Sequence, residues 1–138
     1  MDIAQFKGDA ALETGGKWIK FHDCEFLIAA NMNPNHKKAL HKLAKKNPLA
    51  IRRGDIAEQE RIAIEAMAGT VLLDWRGVKN GELDFPYTPE NAITLLKIQI
   101  IRDFIADESQ QISNFQAEAE GGAIASLKSG PPVGSDMA

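Results

Sequence analysis

The chain has 138 residues, of which 44% are hydrophobic and 25% charged, with a formal net charge of −3. That is the composition of a folded domain large enough to bury a core without a metal or a disulfide, and its charge argues against a general polyanion binder. The single cysteine, Cys24, excludes an intramolecular disulfide and a cysteine-based zinc finger and suits a reducing, cytoplasmic setting. No apolar run approaches the ~20 residues needed to span a bilayer. Met1-Asp2-Ile3-Ala4 lacks the basic start and apolar core of a signal peptide.

The first pattern is a hairpin, expected over residues 15–30. Gly15-Gly16 precedes Lys17-Trp18-Ile19-Lys20-Phe21, His22-Asp23 turns the chain, and Cys24 to Ala30 runs back. Two strands alone are marginal in water, so the hairpin must pack on helices or on another subunit. Asn33-Pro34 then signals a helix start, and residues 34–46 read as an amphipathic helix. Leu40, Leu43 and Ala44 form its narrow apolar stripe, and lysines and histidines cover the rest. Asn47-Pro48 ends it.

Asp55, with Glu58 three residues on, opens a longer helix expected over 55–76. Ile56, Ala63, Ile64, Ala66, Met67 and Val71 form its broad face, and Gly77 its C-terminal stop. Lys79-Asn80-Gly81-Glu82 is a turn and Leu83–Tyr87 is extended. Thr88-Pro89-Glu90 caps a third helix, expected over 89–107 as the central core element because Ile93, Leu95, Leu96, Ile98, Ile100, Ile101, Phe104 and Ile105 crowd it. A bend near Asp107–Ser109 leads into a last helix over 109–120, with Ile112, Phe115 and Ala119 on one stripe. Residues 1–120 thus read as one globular domain, and the Gly/Ser/Pro-rich residues 121–138 as a flexible tail. The fold class expected is α+β and predominantly α-helical, with the N-terminal β-hairpin packed on a helical core.

Charge is unevenly placed. Residues 32–54 hold seven of the sixteen Lys and Arg residues and no Asp or Glu, whereas residues 55–138 hold fourteen of the nineteen acidic residues. The basic segment comprises Lys37, Lys38, Lys42, Lys45, Lys46, Arg52 and Arg53. It lacks aromatics on which bases could stack, and lysine reads base edges poorly, so nucleic acid is an unfavoured partner. A solvated helix face is the plainer reading; as a binding surface it suits an acidic protein, including a second copy of this chain.

Catalytic chemistry is not evident. His36 and His41 stand about 140° apart on a helix of ~3.6 residues per turn. His22, Asp23 and Cys24 are adjacent and cannot converge on one metal in a regular strand. Walker A, GxGxxG, GxSxG and HExxH motifs are missing. The expectation is a non-enzymatic protein with no catalytic residue, metal or other cofactor.

One stretch carries a resemblance. Trp75, Gly77 and Val78 are followed by Gly81, then Pro86, Thr88, Glu90, Asn91 and Ala92, then Leu95-Leu96 and an apolar helix. This order, with the hairpin and basic helix before it and Asn114-Phe115 after it, resembles the tail assembly chaperones of long-tailed, non-contractile-tailed bacteriophages. The likeness spans roughly Lys17 to Phe115; Lys97-Ile98-Gln99-Ile100 stands where that family has a Pro-containing corner. The resemblance implies a protein that coats and solubilises the tape-measure protein and helps bring tail-tube subunits to it, through a frameshifted longer form in many such phages. It implies self-association, residence in the host cell cytoplasm, and absence from the mature virion. The interaction residues then expected are the seven basic ones above, followed by Trp75 and Tyr87, which bracket a connection and are also suited to core packing. Two other readings stay open: a structural virion component such as a head–tail joining protein, and a small nucleic-acid-binding regulator.

Overall fold

The computed structural model describes residues 1–117. The chain enters through a 3₁₀ turn, Ile3–Phe6, and helix α1, Ala10–Gly15, capped by the Asp9 carboxylate. Strands β1 (Lys17–Phe21) and β2 (Cys24–Ile28) form the expected hairpin, with Ile19 opposite Phe26 and Phe21 opposite Cys24. Gly16 is a close-approach position: its φ is +83°, and a Cβ there would lie 3.1 Å from the Ile28 carbonyl oxygen.

Helix α2 spans Pro34–Lys46, as its cap and its stop predict. Helix α3, Pro48–Arg53, follows after one residue, and α4 runs Ile56–Met67. The expected helix over 55–76 therefore stops nine residues early. Gly69 takes a φ of +84°, and Leu72–Arg76 becomes strand β3, antiparallel to β2, in a three-stranded sheet ordered β1-β2-β3. The apolar run through Val71-Leu72-Leu73 fits a helix or a strand equally well in isolation; pairing with β2 decides it. Gly77 does adopt positive φ, but it ends a strand rather than a helix. Strands β4 (Lys79–Asn80) and β5 (Leu83–Asp84) form a small second hairpin, in which Gly81 supplies the positive φ.

The expected central helix over 89–107 is two helices, α5 (Pro89–Leu96) and α6 (Gln99–Ser109). The chain turns at Lys97-Ile98 without a proline. The Arg102 guanidinium makes this turn tenable: it donates to the freed Leu96 carbonyl at 2.8 Å and pairs with Glu60 of α4 at 2.7 Å. One consequence is that Ile98 and Ile100 are exposed, not buried in a core helix. In place of a helix beginning at 109, a 3₁₀ turn covers Ile112–Phe115. The remainder of that expected helix, from 118, and the expected tail lie outside the described residues.

The fold class is α+β and predominantly helical. The core joins Phe26 and Ile28 of the sheet, Ile64 of α4, Val71, Leu72 and Trp75, Leu95 and Leu96 of α5, and Ile105 of α6. Phe21, Phe26 and Phe104 continue it, with ring centroids 4.6–6.4 Å apart, the spacing of favourable aromatic contacts.

A candidate protein-interaction surface

The basic helix α2 is held at both ends and along one side. Asn33 is buried; its side-chain oxygen accepts from the Asn35 and His36 N–H groups, while its amide donates to the Ala30 and Thr70 carbonyls at 2.8 Å each. This cap therefore fixes the helix to the loop before β3 as well as closing its own first turn. One turn on, His36 Nδ1 accepts the Met32 N–H at 2.9 Å. His36 is buried, contrary to its expected place on the polar cover of the helix. At the far end Asn47 donates to the Leu43 carbonyl and accepts from Arg61 of α4, and Arg61 is itself paired with Glu58 and Glu65.

With Leu40, Leu43 and Ala44 turned inward, Lys37, Lys38, Lys42, Lys45 and Lys46 sweep an arc of about 180° at ~100° per residue, with His41 among them. All six are exposed, as are Arg52 and Arg53 on α3. Among the described residues, the cations within 4.0 Å of a carboxylate are Arg61, Arg76 and Arg102; none belongs to this group of seven. The structure thus brings the seven basic residues onto two consecutive helices as unpaired, solvated charge.

Trp75 and Tyr87 sit elsewhere. Trp75 is only 6% exposed. Its indole stacks on Phe85 and meets the Tyr87 ring edge-on, centroids 5.0 Å apart. The Tyr87 hydroxyl donates to the Leu72 carbonyl at 2.7 Å, and burial pushes the phenol pKa up. The pair packs over the connection between β3 and α5, as the sequence allows, and Trp75 is a core residue.

Sequence reasoning missed three residues beside the basic arc. Leu49 and Ile51 on α3 and Ile56 at the start of α4 are 55%, 48% and 82% exposed. Ile56 departs from the expected buried face; α4 buries Ile64 and Ala66 of that face, and Ile62 besides. The available signal was Pro48 at a helix's first position with Gly54 behind it, marking a separate short helix that is too brief to reach the core.

The Cys24 thiol donates to the Phe21 carbonyl at 3.1 Å, and burial, reinforced by Asp23 and Glu25, raises its pKa, which keeps it protonated at neutral pH. Among the described residues, no three His, Cys, Asp or Glu side chains cluster as metal ligands would, and no helix is long and apolar enough to cross a membrane.

The arrangement is that of a small α+β protein whose distinguishing feature is a charged surface. The family model described as YdaY prophage protein matches residues 28–124, 97 of the 138. The chain belongs to this family and is of phage origin. No curated protein and no solved structure matches it.

Proposed function

We propose that the chain is a non-catalytic tail assembly chaperone that binds the phage tape-measure protein and keeps it soluble while the tail is built. The observation that carries this reading is the exposed basic arc of α2, rigidly anchored through Asn33, His36 and Asn47 yet free of internal ion pairs. A helix held so firmly while presenting only unpaired charge is built to meet a partner of opposite charge. Phage origin and the order of residues from Trp75 to Leu96 support the assignment to tail assembly. A tape-measure protein is long, helical and prone to aggregate through its apolar faces, so many weak contacts along it would protect it by multivalency. Self-association on the client, contact with tail-tube subunits through a longer frameshifted form, work in the host cytoplasm and absence from the finished particle belong to the same proposal.

The test is co-expression with the long, coiled-coil-rich protein that this reading expects to be encoded just downstream. Solubilisation of that protein, and its co-elution with several copies of this chain, is the result expected. A client that stays insoluble while this chain elutes alone, together with this chain in purified particles, would instead make it a virion component.

A further inference from the structure

We propose that the corner where α2, α3 and α4 meet is a docking groove for an acidic amphipathic helix of a partner protein. The inference rests on the reading of the basic arc as protein-binding, and names the chemistry of what it binds. Helix α3 buries none of its six residues, so the core does not account for its apolar side chains. Its Leu49 is 55% exposed. A cleft of about 360 Å³ opens here, with Pro48, Leu49 and Ala50 along it and Lys46 and Arg53 beside them.

Two carboxylates, Asp55 and Glu58, also line this cleft. Asp55 accepts from the Glu58 N–H as the cap of α4, and Glu58 is paired with Arg61 at 2.9 Å. Lys46 and Arg53 have no such partner among the described residues. A cleft wall of Pro48, Leu49 and Ala50 edged by unpaired cations matches a helix that carries leucine-type side chains on one face and Asp or Glu along its flanks. Nucleic acid would use the cations but leave the aliphatics without a role, since no aromatic lies among them to stack a base. The apolar contacts supply dwell time and the lysine arc supplies attraction at a distance, which suits a client bound at many successive positions.

The test uses the full chain and three labelled helical model peptides read by fluorescence anisotropy. One has leucines at i, i+3, i+4 and i+7 with glutamates on its flanks; the second replaces the leucines by glutamine; the third replaces the glutamates by lysine. Only the first should bind. The exposed substitution Leu49→Ser, and separately Lys46→Glu with Arg53→Glu, should each weaken it at least tenfold, with circular dichroism unchanged. Equal binding of the leucine-free acidic peptide would reduce the corner to plain electrostatics and overturn the groove. So would binding of anionic vesicles or duplex DNA, sensitive to the same substitutions, with no peptide bound. A client solubilised as well by the Leu49→Ser protein as by the wild type would leave the chaperone reading standing and remove the groove; peptide binding with an insoluble client would do the reverse.

Discussion

The Trp75 indole N–H donates to the Phe85 carbonyl at 2.6 Å, and the two rings lie 6° from parallel with centroids 5.7 Å apart. One side chain thus ties the end of β3 to the segment that leads into α5, by a hydrogen bond and a stacked face together. Trp75→Ala should destabilise the fold by about 3–5 kcal/mol, the usual cost of emptying a buried aromatic site. Trp75→Phe keeps most of the volume but orphans the Phe85 carbonyl, and should cost about 1–3 kcal/mol. Urea denaturation followed by circular dichroism distinguishes the two. An unchanged midpoint for Trp75→Ala would contradict its place in the core.

Arg102 holds the α5–α6 corner by donating to the Leu96 carbonyl and reaching Glu60. Its side chain is 17% exposed, whereas Glu60 is 53% exposed, so the carbonyl bond matters more than the ion pair. Arg102→Ala should lower stability by about 1–3 kcal/mol. Glu60→Gln should change it by less than about 0.5 kcal/mol, as solvated surface positions do. Equal losses from the two would mean that the ion pair, and not the capped carbonyl, supports the corner.

His36 makes stability depend on pH. Its Nδ1 accepts the Met32 N–H, which requires the neutral ring, and burial holds its pKa below the ordinary value. The unfolded chain therefore binds this proton more readily than the folded one. Stability from this group is fully present above the unfolded pKa of ~6.5 and is lost as pH falls through the depressed folded value, with a slope of at most about 1.4 kcal/mol per pH unit for one proton. Thermal melts between pH 7.5 and 5 should show the wild type falling faster than His36→Gln. Parallel curves would mean that His36 is free to protonate in place.

Much of this architecture is legible where the signal is local. The hairpin, α2 between Asn33-Pro34 and Asn47-Pro48, and the Thr88 cap all lie where turn and cap chemistry put them. The errors arise where distant groups decide. Val71 to Trp75 extends the apolar pattern of α4, and only its pairing with β2 makes it a strand. The corner at Lys97-Ile98 depends on a guanidinium four residues later. Helix α1 is different: Asp9 is a cap readable in the sequence, but Ala10 to Gly15 carry too short a pattern to announce a helix. The basic residues of the surface could be named from composition. The aliphatics beside them could not, because an apolar residue near a helix start gives no sign of whether it turns inward.

The lysine arc carries the functional account. Lys38→Glu, Lys42→Glu and Lys45→Glu together lie on an exposed face with no internal ion partner, so the triple variant should keep the melting temperature within a few degrees of wild type. The decisive measurement is native mass spectrometry of the co-expressed client with the wild-type chain and with this triple variant. The account predicts several wild-type copies per soluble client and none with the variant. A variant that still coats the client in the same number would contradict it.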